Sequence, residues 1–270
     1  MLAELIDRKQ LKEDTRQLLR TAQVPPAAMT ALYGGLLLVL DLAAQLVDGN
    51  GVVTTFVGIV GSLLSIVLGA GFTLYCMAIR RGEWAEYLTL FDGFSFVGRL
   101  IALTIMEYFY IWLWSMLFVI PGIIAAYRYR FALYNLYENP GISPSEALEM
   151  SKAQTAGYKG QLFAMDLSYL GWILLASLPG IVESALVGMR TATAYYDYAV
   201  GNTTVVADVA SPLLPVWGWV VLCGVWNLAV SVFYLAHFQC VELGYFETAK
   251  RTSGVGAGMQ PPAIPSGSEE

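Results

Sequence analysis

Long apolar runs separated by short polar or Gly/Pro-rich breaks set the pattern of this chain. Runs fall at residues 27–47, 52–79, 100–119, 162–187 and 213–238, the last extending toward Phe246. Each is long enough and poor enough in charge to cross a bilayer as a helix. The pattern predicts an all-α, polytopic transmembrane helix bundle of about six spans, with short interfacial helices.

The polar stretches divide the rest. Residues 1–24 read as an amphipathic N-terminal helix with Leu2, Leu5, Ile6, Leu18 and Leu19 on its apolar side. It is expected in the cytoplasm or on the membrane surface, ending at Pro25 and Pro26. Trp84, Leu88 and Phe91 share a helical face in a second interfacial segment, expected to end at Gly93. Ser143-Pro144-Ser145-Glu146 is a capping box with proline at the first helical position. Residues 188–212 read as a polar loop. The tail 251–270, rich in Gly, Pro and Ser, is expected to be disordered. The domain reading is therefore 1–24, a transmembrane region 25–250, and the tail. Within the second run Gly58, Ser62, Ser65 and Gly69 recur at helical spacing, which predicts a close helix-packing face.

Composition agrees with a bilayer as solvent. Hydrophobic residues make up 57% of the 270 positions and charged residues 13%, against about 25% charged in soluble domains. Mean hydropathy is +0.58. No cleavable signal peptide is expected, because charged residues fill the first twenty positions and the first apolar run begins near Ala27. Cys76, Cys223 and Cys240 form no CxxC pair and are read as small core residues. No basic stripe with interleaved aromatics supports a nucleic-acid partner. The expected partners are membrane lipid and a protein partner or second copy.

The 15 Lys and Arg set the orientation. They gather in the N-terminal tail, at 80–99, at 128–159 and at Lys250-Arg251; the 48–51 turn has none and the 188–212 loop only Arg190. Basic loops stay inside, so both termini are expected in the cytoplasm. Residues 100–138 must then cross an even number of times, as a hairpin turning at Pro121-Gly122. A single kinked crossing would give five spans and put Lys250-Arg251 outside. The hairpin carries Arg128 and Arg130 in its returning arm. An antiparallel register puts Glu107 about one helical turn from Arg130, which predicts a Glu107–Arg130 pair; snorkelling of both arginines to a wet rim is the alternative.

An ordered series of short motifs then stands out: Arg8-Lys9-x-x-Lys12, Phe91-Asp92-Gly93-Phe94, Trp114, Ile120-Pro121-Gly122-Ile123-Ile124, Tyr127 and Tyr129, Asn139-Pro140, Ser143 with Glu146-Ala147, Ser151, Gly157, and Leu167-Ser168-Tyr169-Leu170-Gly171-Trp172. The series resembles the bacterial integral-membrane proteins grouped as domain of unknown function 975, best over residues 91–172. The resemblance implies a location in the bacterial plasma membrane and no activity.

Candidate chemistry is thin. Asp41, Glu107, Arg130, Glu183 and His237 are the candidate polar groups inside spans, since an intramembrane ionisable residue is a functional candidate. Asp41, with Gln45 one turn on, is also explained by hydration at the outer rim near Asp48. His237, the only histidine, reads as a hydrogen-bonded helix-end residue, since H-x-x-C-x-E is no ligand spacing. There is no GxxxxGK[ST] loop, GxSxG elbow or HExxH pair, and no cofactor is expected. Because polar groups look sparse and unclustered, the leading expectation is a non-enzymatic scaffold or accessory subunit. A small transporter, with broken helices at Pro121-Gly122 and Pro179-Gly180, is the second. An intramembrane lipid-acting enzyme, needing Asp41, Glu107, Glu183 or His237 in one cavity, is the third.

Overall fold

The computed structural model describes residues 4–47, 51–199 and 216–256. All regular structure among them is helical: α1 (Arg8–Arg20), α2 (Pro26–Gln45), α3 (Gly51–Arg81), a 3-10 segment (Tyr87–Phe96), α4 (Val97–Leu117), α5 (Val119–Tyr129), α6 (Ala132–Glu138), α7 (Pro144–Gln154), α8 (Lys159–Ala199) and α9 (Val216–Ser253). Five helical stretches are long and apolar enough to cross a membrane: Pro26–Gln45, Gly51–Arg81, Tyr87–Leu117, Lys159–Met189 and Trp217–Ser253. The chain has the make-up of a multi-pass membrane protein. It divides into two compact units. The first comprises Met1–Pro25, Ile66–Ser168 and His237–Glu270, the second Pro26–Ser65 and Tyr169–Ala236.

In the first unit, residues 100–138 form an antiparallel hairpin as expected, but its returning arm is not one of the five stretches long enough to cross, so among the described residues the expected sixth span is not seen. Tyr110 meets Tyr129 at 5.8 Å between ring centroids, and Phe96 meets Tyr137 at 6.1 Å. Leu103, Ala125, Tyr129, Ala132 and Leu136 pack into one cluster between the arms. The turn is at Phe118, where the backbone is extended (φ −162°, ψ 155°), and not at Pro121-Gly122. Pro121 sits in the first turn of α5, where its missing N–H would have had no helical acceptor anyway. Gly122 abuts Ser115, so the two arms close tightly beside the turn. The returning arm is two short helices, α5 and α6. The break between them is held from α7: Ser151 Oγ accepts from the Phe131 N–H at 3.0 Å and donates to the Arg128 carbonyl at 2.9 Å.

The interfacial segment does not end at Gly93. It runs to Phe96, and Gly93 instead lets it lie on the Val67 carbonyl of α3, as Gly71 of α3 lies on Leu90. Helix α1, capped by Asp7 at the Lys9 and Gln10 N–H groups, is docked on the start of α8. Arg8 donates to the Ala164 carbonyl at 3.0 Å and Lys12 to Ser168 Oγ at 2.8 Å. Ser143 and Glu146 form the expected capping box of α7.

Three further expectations change. Helix α8 is not interrupted at Pro179-Gly180; it continues to Ala199 with Pro179 inside it. The loop foreseen at 188–212 is helical as far as Ala199, and its remainder lies outside the described residues, as do 257–270 of the tail. The small-residue face of α3 is not packed by the described residues at Gly58 and Ser62: Gly58 has open space beside it, and Ser62 is exposed and bonds back to the Gly58 carbonyl at 2.8 Å.

Candidate functional site

Among the described residues, polar side chains gather in both units. In the first unit Arg130, at the C-terminal cap of α5, points its guanidinium at α8 and α9. Its two terminal nitrogens fork onto Asp166 at 2.5 and 2.9 Å, and one of them also reaches Glu242 Oε2 at 2.8 Å. Tyr127 OH donates to Asp166 at 2.7 Å, Tyr134 OH to Glu242 Oε1 at 2.7 Å, and Gln239 donates to Tyr134 OH at 2.9 Å. The Tyr127 and Phe238 rings flank the cation at 5.5 and 5.7 Å. Every carboxylate oxygen in this cluster has a donor. A closed network of this kind fixes geometry and leaves no group over for a ligand.

The expected Glu107–Arg130 pair does not form. Glu107 is half-buried in α4 within electrostatic reach of Glu242, while Arg130 is drawn to two carboxylates from elements distant in sequence. Asp166 is this arginine's main partner. His237 donates from Nε2 to the Lys12 carbonyl at 3.0 Å and helps seat α1 on α9. Toward the far end of α9, Glu138 takes both Arg81 at 2.6 Å and Lys250 at 2.7 Å, and Arg80 forks onto Glu247 at 2.9 and 2.6 Å.

The second unit is different. Helices α2, α8 and α9 enclose a cavity of about 550 Å³. Gly34 abuts Leu228 and Gly224 abuts Leu38, so α2 and α9 run antiparallel at close range. Three residues beyond Leu38 lies Asp41, opposite Val221, three residues before Gly224. On α8, Glu183 faces the Cys223 thiol at 4.0 Å. Asp41 and Glu183 thus reach the cavity at nearly the same level of α9, beside Trp219 and Cys223. The lining continues along α2 from Gln45 to Thr30, about 22 Å at 1.5 Å per residue.

Among the described residues no Lys, Arg or His lines this cavity, so the two carboxylates face it without a cation from those residues. Two buried polar groups of the lining also have no hydrogen-bond partner. They are Thr30 Oγ1, on a residue 0% exposed, and Trp219 Nε1, on a residue 6% exposed. Buried polar atoms are nearly always paired, and an orphan needs an explanation. Both atoms are sealed within the walls and out of reach from the cavity; it is the two carboxylates beside open volume that make this cavity, and not the closed Arg130 cluster, the candidate site.

Comparison with known families bears on the first unit more than on the cavity. Residues 116–201 match the family model described as Protein of unknown function (DUF975). This segment belongs to that family. The DUF975 segment holds Pro121-Gly122 of the hairpin, Arg130, Asp166 and Glu183. It also holds Asn139, whose amide donates to the Asn135 carbonyl at 3.0 Å, Pro140, whose carbonyl takes Arg99, and Trp172, stacked on Tyr234 at 6.1 Å. Phe91, Asp92, Gly93 and Phe94, on the 3-10 segment, lie before it, as do Asp41 and Glu107; His237 lies after it. No curated protein and no solved structure matches the chain.

Of the residues singled out in the sequence, Asp41 and Glu183 come together; Glu107, Arg130 and His237 belong to the first unit. The partners of the pair were not foreseen. Thr30 and Trp219 carry no sequence signal, since a lone hydroxyl or indole in a span usually packs or anchors. Cys223, read as a core thiol, lies one turn from Trp219 on the cavity face.

Proposed function

We propose that this protein is a small membrane-embedded carrier that holds its solute between Asp41 and Glu183. One observation carries the reading: a cavity of about 550 Å³ between three helices, lined by two carboxylates and, among the described residues, by no cationic side chain. Ligand sites have this make-up, mostly apolar walls with a few convergent polar groups. A scaffold role rests on polar groups being sparse and scattered, and the two clusters remove that support. The reading is non-enzymatic. The placement of Lys and Arg supports cytoplasmic termini, and the family resemblance supports the bacterial plasma membrane.

The test is reconstitution. Proteoliposomes should take up at least one member of a labelled panel of amines, amino acids, carboxylic acids and sugars. Asp41→Asn combined with Glu183→Gln should stop that uptake. Cys223 should react with neutral methyl methanethiosulfonate from the aqueous phase, and Ala44→Phe, which fills the lining, should slow the reaction. No uptake of any panel member, with Cys223 as inert as the fully buried Cys76 and Cys240, overturns the carrier reading.

A further inference from the structure

We infer that the cavity of the second unit takes an elongated organic cation, its ammonium head between Asp41 and Glu183 and its apolar body along the α2–α9 groove. The inference rests on the carrier reading and names the class of solute.

Charge comes first. Two carboxylates meet the cavity at one level, and among the described residues nothing cationic lines it. Two like charges facing one space repel each other, which is a cost that a counter-ion between them offsets. An anionic solute would add to that cost, and a neutral one would leave it standing. A cation removes it. Trp219 adds an aromatic side chain beside the acidic pair, and aromatic faces attract ammonium groups.

Size and shape exclude a bare metal ion. A volume of about 550 Å³ far exceeds a single ion's coordination shell. Among the described residues, no group of three or more His, Cys, Asp or Glu could hold a metal ion. The lining runs about 22 Å along α2 at 1.5 Å per residue, from the acidic level toward Thr30. Between these ends the walls are Leu37, Leu38 and Leu228, with Leu235 beyond. An acidic end and a leucine-walled length match a molecule with a cationic head and an apolar body.

Protection of Cys223 tests this in purified full-length protein in nanodiscs. The reporter is the rate of its modification by neutral methyl methanethiosulfonate, since its thiol lies against Glu183. The probe is hexyltrimethylammonium. Controls are tetramethylammonium, which has the head without the body, and hexanoate, which has the body with the opposite charge. Hexyltrimethylammonium should protect at concentrations at least about tenfold below tetramethylammonium, and hexanoate should not protect. Asp41→Asn and Glu183→Gln should each weaken protection about tenfold, the loss of roughly one charged contact, while circular dichroism and thermal unfolding verify the fold. Equal protection by hexanoate, or protection indifferent to both substitutions, overturns the cation. Equal protection by tetramethylammonium overturns the elongated body. In those cases Cys223 still reacts and the carrier reading survives. A Cys223 that no reagent reaches overturns both.

Discussion

The indole of Trp226 on α9 donates to the Leu175 carbonyl of α8 at 2.7 Å. Leu175 is four residues before Pro179, so its helical donor is the N–H that proline lacks. An outside donor therefore repairs the one backbone bond that the proline removes, and α8 continues to Ala199. Removing the donor should expose the defect. Trp226→Phe should destabilise the protein, and in a Pro179→Ala background, where the substituted alanine supplies the N–H, it should destabilise it less. We expect a coupling of about 0.5–1.5 kcal/mol in a double-mutant cycle of thermal unfolding. Equal losses in both backgrounds would mean that the indole matters only for packing.

Arg130 is the single cation between Asp166 and Glu242. Arg130→Met leaves two carboxylates facing each other in a partly buried site, and it should cost about 3–5 kcal/mol. Adding Asp166→Asn and Glu242→Gln to that variant should recover much of the loss, because no charge then remains uncompensated. Exchanging the charges of Glu107 and Arg130 should rescue nothing, since that pair is not formed. Unfolding in detergent, followed by tryptophan fluorescence, ranks the variants.

Helix positions were legible in the sequence because apolar run length reports directly on crossing a bilayer. The chain reversal within 100–138 was legible because loop charge placed both its flanks on one side, although the returning arm is too short to count as a sixth span; Ser143 and Glu146 were legible because a capping box is local. What failed was long-range. Depth along adjacent arms nominated Glu107, but Arg130 found partners 36 and 112 residues away, on helices whose rotation no local pattern states. The two prolines misled for opposite reasons. Pro121 breaks nothing because it stands in a first turn, and Pro179 breaks nothing because Trp226 supplies a substitute donor. Asp41 and Glu183 were each visible as intramembrane carboxylates; that they face one cavity depends on α2 and α9 closing at Gly34 and Gly224.

Gly71 lies against the backbone of Leu90, at the crossing of α3 and the 3-10 segment. A Cβ there meets a carbonyl group, which has no rotamer by which to move aside. Gly71→Ala should cost about 1–3 kcal/mol, and Leu90→Ala should not relieve it because the obstacle is main chain. Gly171, mid-helix in α8 with open space beside it, is the control. Gly171→Ala should be neutral or stabilising by about 0.5–1 kcal/mol through helix propensity. Thermal unfolding of the three variants checks the contrast, and a harmless Gly71→Ala would remove the close approach.

The capping box gives α7 a pH dependence of known sign. Glu146 Oε2 accepts from the Ser143 N–H at 2.7 Å and from the Ser143 hydroxyl at 2.9 Å. Both bonds favour the carboxylate and hold its pKa below the usual value of 4.5. A carboxyl lowered on folding binds its proton more weakly in the folded helix than in the unfolded chain. Its stabilisation is therefore complete above the unfolded value and is lost as pH falls through the lower folded one. The Glu146 side-chain carboxyl carbon, followed by NMR, should titrate below a model glutamate, and the start of α7 should fray over the same interval. Glu146→Gln keeps an acceptor for the Ser143 N–H but has no proton to gain. It should abolish the pH-dependent fraying of α7 while leaving the helix in place, and fraying that persists unchanged in this variant would assign it to another group.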